Sequence, residues 1–221
     1  MKLAGIALWT GLLAVWAAAI AFVPADAAQG EVYRIIYLHV PSAISAFASC
    51  FLLAVAGVFA LWTRNQNYLT WQRGLAEAGL LMTALALLTG SIWGKPTWGT
   101  WWTWDARLTT TFLLAILLAA WLMLHGALPS GRQRLAVCSG LSIFVFADVP
   151  IIYKSVTWWR TLHQPPTIIR SGGSTMAPEM LALLVSGIVI TAAMTVWLAW
   201  VRTDSLKMAE KLENQTGAAF E

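Results

Sequence analysis

Charged residues are scarce in this chain: Asp, Glu, Lys and Arg make up 11% of its 221 residues. A soluble domain carries charge on about a quarter of its residues, so the composition excludes an ordinary soluble protein. Hydrophobic residues make up 59%. The formal net charge of +4 is too small to indicate nucleic-acid binding and is interpreted as membrane topology.

Cysteine is also scarce, with Cys50 and Cys138 each inside an apolar run. They form no Cys-x-x-Cys pair and no disulfide framework, which excludes iron–sulfur ligation and covalent c-type haem attachment within this chain. We interpret both as small buried hydrophobic residues. The sequence has no nucleophile–base pair, phosphate-binding loop or metal–carboxylate cluster. We therefore expect no bond-making active site.

Six apolar stretches are long enough to cross a bilayer, which needs about 20 residues at about 1.5 Å rise each. They predict an all-α polytopic membrane protein with helices at 3–24, 42–62, 74–93, 108–128, 134–153 and 178–200. A six-span domain would cover 1–203 and a polar cytoplasmic tail, a short helix with a frayed end, 204–221. Although 25–28 resembles a signal-peptide cleavage site, the first apolar run exceeds a signal core of ~7–15 residues, so we expect an uncleaved helix.

Basic residues are distributed almost evenly over the two membrane faces. With the N-terminus inside, eight fall on the inner side and six on the outer, which is a weak positive-inside bias. The outer six favour an anionic partner on that face, although acidic residues on the same side can pair with some of them. They are Arg34, Lys95, Arg107, Lys154, Arg160 and Arg170.

Tryptophan is abundant, and four of the 14 fall within residues 98–104 of the loop at 93–109. If this loop is a short interfacial helix, helical spacing places one set of side chains on a common face: Trp98, Trp101, Trp102 and Asp105. Such an aromatic wall suits a large planar apolar ligand. A membrane-interface belt is the alternative for the tryptophans. A helix cap is the alternative for Asp105 and snorkelling for Arg107.

Two of the three histidines lie on the predicted outer face. His39 precedes the second helix, with Pro41 in that helix's first turn, and His163 follows the fifth helix. Neutral imidazole is a common nitrogen ligand for iron, so the pair could hold one metal from opposite sides, although either histidine alone is more often structural. His125, near the inner end of the fourth helix, is interpreted as structural.

Asp148 is the strongest charge inside a predicted span. A carboxylate at the bilayer centre costs about 2.5–3.5 kcal/mol on insertion scales, and less near an interface. The Asp148 carboxylate is therefore expected to have either a hydrogen-bonding or ionic partner or a functional role. Pro150, two residues later, would kink the helix and free a carbonyl, so a structural role stays open.

The motif Trp98-Gly-Thr-Trp-Trp-Thr-Trp-Asp105-Ala-Arg107 resembles the WWD signature of haem-handling proteins of cytochrome c biogenesis. Within that group the chain is most similar to the cytochrome c maturation protein C family (CcmC). The segments around His39 and His163 are similar to that family's flanking-histidine segments, and 146–150 resembles its fifth-helix pattern. The resemblance covers nearly the whole chain, whereas the larger haem lyases have many more spans.

The resemblance implies non-covalently bound haem b, with His39 and His163 as axial ligands. Its tryptophan platform would be Trp98, Trp101, Trp102 and Trp104. Arg34, Trp93, Asp105 and Arg107 match positions used for haem handling or chaperone contact. Haem propionates need cations, and charge-assisted hydrogen bonds contribute roughly 1.5–3 kcal/mol each. Our candidates, in addition to Arg34, are Arg107 first, then Arg160, and Lys154 last.

The resemblance also implies partners and a compartment. Haem would pass to a periplasmic haem chaperone (CcmE), assisted by a one-span subunit (CcmD), and an ATP-binding-cassette pair (CcmA and CcmB) would release the loaded chaperone. The chain would lie in a bacterial inner membrane, with cytoplasmic termini and a periplasmic WWD loop and histidines. We expect one histidine to be displaced when the chaperone's own ligand approaches the iron.

Three rival interpretations stay open. A b-type electron-transfer cytochrome would also use two histidines, but usually within facing helices at membrane depth. A haem transporter or exporter subunit would show polar residues at the membrane midplane, whereas Asp148, the only strong charge within the predicted spans, lies near one face. For a purely structural membrane subunit, the cluster of tryptophan and histidine would be excessive.

Overall fold

The computed structural model describes residues 2–164, 173–174 and 176–217. Its six α-helices are α1 Lys2–Phe22, α2 Ile36–Thr63, α3 Asn67–Trp98, α4 Ala106–Ala127, α5 Arg132–Trp158 and α6 Pro178–Gly217. Each contains a segment long and apolar enough to cross a membrane. No strand occurs in the described residues beyond an isolated bridge between Asp26 and Gly30. The predicted all-α, six-span architecture is confirmed.

Helices α2 and α3 form the centre of the bundle. They pack against each other, α2 also contacts α5 and α6, and α3 also contacts α4 and α6. Helix α1 packs mainly along α6. Helices α1 and α4 bury the smallest share of their apolar segments. Their outward hydrophobic side chains are therefore available to lipid, which is the solvent of a membrane-spanning bundle.

A buried hydrogen-bond network joins α3, α4 and α5. The amide of Gln72 donates to Ser139 Oγ at 3.1 Å and accepts from the Ser142 hydroxyl at 2.8 Å. The indole of Trp121 donates to Ser142 Oγ at 2.9 Å and to the Cys138 carbonyl at 2.8 Å. Because all four side chains are buried, these bonds replace the ones that water would make.

Helix α2 begins six residues earlier than predicted, so both His39 and Pro41 lie inside it. The expectation that Pro41 occupies its first turn was wrong. A 3₁₀ turn, Glu31–Ile35, leads directly into the helix, and Tyr37 is buried with its hydroxyl 3.3 Å from the Met180 carbonyl. This burial favours the early start, although Pro41 cannot donate a bond to the carbonyl four residues before it.

The predicted interfacial helix at 98–105 does not form. Helix α3 continues to Trp98 and ends at Gly99, whose φ of 80° is a left-handed conformation that suits glycine. Residues 100–105 are irregular, and Asp105 caps α4 by accepting from the Leu108 amide at 2.8 Å. The shared helical face expected for the tryptophans and Asp105 is therefore absent.

The polar tail predicted from 204 differs in form as well. Helix α6 continues without interruption to Gly217, so most of this segment extends the last spanning helix instead of starting a separate short one. Residues 218–221 of the predicted tail, and Arg170 among the predicted outer basic residues, lie outside the described residues.

Candidate functional site

An open cavity lies at one end of the bundle, here called the site end. Helices α2 and α4 begin at this end, and α3 and α5 finish there. The deeper walls are apolar and include Ala46, Phe47 and Leu114. The mouth carries the polar and aromatic groups: His39, His163, Trp93, Trp98, Trp102 and Arg107.

The two histidines predicted to act together face each other across this cavity. Their ring centroids are 6.5 Å apart and their planes are tilted by 36°. A metal–nitrogen bond of about 2.0 Å, and a ring nitrogen about 1.2 Å from the imidazole centroid, separate the centroids of two imidazoles on opposite sides of one metal by about 6.4 Å. The observed centroid separation of 6.5 Å is close to that distance.

Both imidazoles make a hydrogen bond through Nδ1. His39 Nδ1 lies 3.0 Å from Thr89 Oγ1, and His163 Nδ1 lies 2.8 Å from the Gln164 carbonyl oxygen. A carbonyl only accepts, so Nδ1 of His163 carries the proton and Nε2 is left with a free lone pair. Burial, followed by the nearby Arg107, lowers the pKa of His163 to about 4. At neutral pH this side chain is therefore uncharged, which is the form that binds metals.

The tryptophans of the predicted platform divide into two groups. Trp98 and Trp102 line the cavity, and Trp98 lies 6.3 Å from the His163 ring. Trp101 and Trp104 are 57% and 73% exposed and do not line it. Trp104 instead packs edge-on against Trp102, with centroids 5.4 Å apart. Only half of the predicted platform therefore borders the space that a ligand would occupy.

Trp93 stands beside His39 at the opposite wall. Its indole meets the imidazole edge-on, with ring centroids 5.7 Å apart. The indole nitrogen donates to Gln29 Oε1 at 2.6 Å, which fixes the ring from the loop between α1 and α2. Trp93 therefore lines the cavity in a fixed orientation, with its ring against His39.

Asp105 does not line the cavity but connects two segments that do. One carboxylate oxygen caps α4, as described above, and the other accepts from the Thr161 hydroxyl at 2.6 Å and from the Leu162 amide at 3.2 Å. The amide of His163 in turn donates to Thr161 Oγ1 at 3.1 Å. The cap interpretation of Asp105 is thus correct, and the same side chain holds the segment that carries His163.

Among the basic residues considered for an anionic ligand that the structure describes, which leaves out Arg170, only Arg107 borders the cavity. Arg34 pairs with Glu31 and donates to the Val23 carbonyl at 2.7 Å. Arg160 is exposed, and the Lys154 ammonium lies over the Tyr153 ring. Arg107 is therefore the cation that an anionic group inside the cavity would meet.

His125 and Asp148 lie away from the cavity lining. His125 stacks on Trp121 with centroids 5.2 Å apart, near the end of α4 remote from the site. Asp148 is buried in α5, and its Oδ2 has no hydrogen-bond partner in the described part of the chain. No group of three or more His, Cys, Asp or Glu that could hold a metal occurs in that part either. A metal bound here would have to bring further ligands.

Sequence reasoning missed several contributors: Gln29, Thr89, Gly90 and Gln164. A signal for part of the site was available in the helical spacing, because His39, Ala43 and Phe47 follow at intervals of four and all line the cavity. Because the second helix was predicted to start at residue 42, His39 lay outside it and the spacing was not recognised. Nothing in the sequence indicated a role for Thr89, because threonine is a common residue where helices pack against each other.

Together, the fold and the cavity define a six-helix membrane protein with a tryptophan-lined, two-histidine site at one end. A model of the family described as CcmC, heme exporter protein C, matches residues 1–217. The chain therefore belongs to the heme exporter protein C family, as its motifs predicted.

Individual relatives agree. The heme exporter protein C of Haemophilus influenzae is 42% identical over 193 residues, covering 87% of this chain and 77% of that protein. That of Bradyrhizobium diazoefficiens is 36% identical over 206 residues, covering 89% and 75%. A putative cytochrome c biosynthesis ccmC-like mitochondrial protein of Marchantia polymorpha is 38% identical over 162 residues, covering 73% and 66%.

Proposed function

We propose that this chain binds haem b non-covalently in the site-end cavity, with the iron between His39 and His163. It then delivers that haem for cytochrome c maturation. The observation that carries the proposal is the 6.5 Å separation of the two imidazoles, which both line one cavity. The names of the relatives, heme exporter protein C and cytochrome c biosynthesis protein, support the same cargo.

Each part of haem has a counterpart in the cavity. The porphyrin is a flat apolar disc, which suits apolar walls and the indoles of Trp98 and Trp102. It supplies four nitrogen ligands, so the iron needs only two from the protein. Arg107 can donate charge-assisted hydrogen bonds to one propionate.

The partners and orientation follow from the same proposal. The site end faces the periplasm, where a haem chaperone (CcmE) receives the haem. The one-span subunit (CcmD) and the ATP-binding-cassette pair (CcmA and CcmB) act with this chain in the inner membrane. The exposed rings of Trp101 and Trp104 serve as membrane-interface anchors, which are common for indoles at the headgroup level.

An electron-transfer cytochrome is the rival that the structure strengthens in one respect. The presence of His39 on α2 removes part of the argument that both ligands lie outside helices. His163 still lies on an irregular segment at the end of the bundle. Incubation of the haem-loaded protein with the apo-chaperone separates the two functions. Haem transfer supports delivery, whereas stable retention with reversible electron transfer to a quinone would contradict it.

The binding site is tested by visible absorption and pyridine haemochrome spectra of the purified full-length protein. We expect b-type haem in the unaltered protein, an altered or lost spectrum in His39→Ala and His163→Ala, and no change in His125→Ala. The last variant is a matched control because its imidazole also packs against a tryptophan, at the other end of the bundle. Absence of haem even with the chaperone present, or loss only in the control, would overturn the assignment.

A further inference from the structure

The imidazole of His39 rests against a short stretch of α3. Thr89 Oγ1 lies 3.0 Å from its Nδ1. A Cβ added at Gly90 would lie 3.1 Å from its Cε1. One turn further along, Trp93 closes the same side with the edge-on contact described above. We call Thr89 and Gly90 together the α3 seat, because one residue bonds the ring and the other leaves room for it.

The hydroxyl of Thr89 has a defined direction. Its oxygen lies 2.6 Å from the Leu85 carbonyl and 3.3 Å from the Ala86 carbonyl, both on the preceding turn of α3. Carbonyl oxygens only accept, and a hydroxyl has one proton, so that proton is committed to the α3 backbone. The oxygen is then left to accept from His39. Nδ1 of His39 therefore carries the ring proton, and its Nε2 is left with a free lone pair.

We propose that Thr89 and Gly90 are positioning residues, which hold His39 in the Nδ1-protonated form with Nε2 directed at the haem iron. This inference rests on the proposed haem site and deepens it. A hydrogen bond from the second ring nitrogen fixes the tautomer and orientation of a metal-binding histidine and raises its basicity. The Gln164 carbonyl has the corresponding role for His163, so each of the two ligands has its own acceptor.

Gly90 acts through space instead of through a bond. Cε1 of an imidazole lies between the two nitrogens, so pressure on this atom turns both of them. A methyl group at 3.1 Å is tighter than ordinary van der Waals contact, and the ring would have to move away from α3. Alanine is otherwise a better helix former than glycine. Gly90→Ala should therefore disturb the ligand without weakening the helix.

The chain offers a matched control for the hydroxyl. Thr195 of α6 is also buried, and its hydroxyl also donates to the carbonyl four residues earlier, that of Thr191. Thr195 does not line the cavity. Removing the Thr195 hydroxyl therefore changes helix packing to a similar degree, but leaves the acceptor of His39 and the cavity lining in place.

The test compares haem affinity and ferric spin state in Thr89→Val, Thr89→Ser and Thr195→Val, using the full-length protein titrated with haemin. Loss of the hydrogen-bond partner of a metal ligand typically costs about 10–100-fold in metal affinity. We expect a loss of at least about tenfold in Thr89→Val, together with a partial change from low-spin to high-spin haem. Thr89→Ser, which keeps the acceptor, and Thr195→Val should match the unaltered protein. A wild-type spectrum in Thr89→Val, or an equal loss in Thr195→Val, would overturn the proposal.

Gly90→Ala is compared with Gly140→Ala, where an added Cβ has no neighbour within 4 Å. Thermal unfolding should show Gly90→Ala to be no less stable than the unaltered protein, while its haem becomes partly high-spin. Gly140→Ala should show neither change, and unaltered low-spin haem in Gly90→Ala would contradict the seat.

Different results would contradict the proposed haem site and the proposed α3 seat. Unchanged spectra in His39→Ala and His163→Ala would contradict the haem site itself. Changed spectra in these two variants, with no effect of Thr89→Val, would contradict only the α3 seat.

Discussion

The two imidazoles that face each other in the cavity are supported in different ways. His39 lies within α2, a helix of 28 residues, and contacts α3 through Thr89 and Gly90. His163 lies five residues beyond the end of α5, on an irregular segment. That segment is tied to the rest of the site by hydrogen bonds to Asp105. His39 is therefore part of the helical bundle, whereas His163 is attached to it by hydrogen bonds.

If both histidines bind the haem iron as proposed, this difference predicts different roles for them in haem delivery. Moving His39 requires the repacking of two central helices, whereas moving His163 requires the loss of a few hydrogen bonds at the bundle surface. Irregular surface segments open at lower free-energy cost than packed helices. We therefore expect His163 to be the ligand that is displaced when a receiving protein approaches the iron. His39 should stay bound until the haem leaves.

The sharpest test of the comparison, and the largest effect, is replacement of each histidine by glycine followed by addition of free imidazole. Both His39→Gly and His163→Gly should lose low-spin haem. Imidazole should restore it well in His163→Gly, because an irregular segment carries that residue, and poorly in His39→Gly, where α2 and α3 pack around the space. Absorption spectra across an imidazole titration measure the restoration. Equal rescue of the two variants would contradict the comparison.

Replacing Arg107 should lower haem affinity without changing the ligation of the iron by either histidine. It is the basic side chain of the cavity lining, and a hydrogen bond to a charged group contributes roughly 1.5–3 kcal/mol. Arg107→Gln should therefore weaken haem binding by about 10–100-fold while the bound haem remains low-spin. Arg34→Gln, whose side chain is engaged elsewhere, is the control. A haemin titration followed by absorbance distinguishes a loss of affinity from a loss of ligation.

Asp105→Ala should break the attachment of His163 selectively. It removes the α4 cap, at a cost of about 1 kcal/mol, and the two bonds to the His163 segment. We expect roughly a tenfold loss of haem affinity and a spectrum resembling that of His163→Ala. Asp105→Asn keeps an oxygen for the cap and should be affected less. A spectrum resembling His39→Ala would instead place the influence of Asp105 on the other ligand.

Thr161→Val is the smallest change and leaves the α4 cap intact. It removes the hydroxyl that bonds Asp105 at 2.6 Å and accepts from the His163 amide. A single hydrogen bond contributes about 0.5–1.5 kcal/mol, so the expected loss of haem affinity is about 2–10-fold. Transfer to the chaperone should become faster, because the displaced ligand is held less firmly. Slower transfer in stopped-flow spectra would count against displacement of His163.

The spans were predictable because lipid imposes a simple rule. Backbone groups in a bilayer must be satisfied within the segment, so every long apolar run is a helix, and all six predicted spans overlap an observed helix. The motif predicted the family correctly. The pairing of His39 with His163 agrees with their observed proximity, while their role as iron ligands stays a prediction.

The loop was predicted less well because short irregular segments depend on individual residues. Helical spacing from Trp98 to Asp105 assumed a continuous helix, but Gly99 ends α3 in a left-handed conformation and Asp105 begins α4. The residues between them are irregular. The tryptophans therefore divide between cavity and surface, which no periodicity in the sequence could indicate.

The sequence by itself determined the number of spanning helices, the family and the residue types of the site, because hydrophobicity and motif are local properties. Only the tertiary structure decided which side chains border the cavity. Arg107 does and Arg34 does not, since Arg34 finds a carbonyl and a carboxylate of its own. Thr89 contacts His39 from 50 residues away. Such contacts depend on how α2 and α3 pack against each other, which no local pattern specifies.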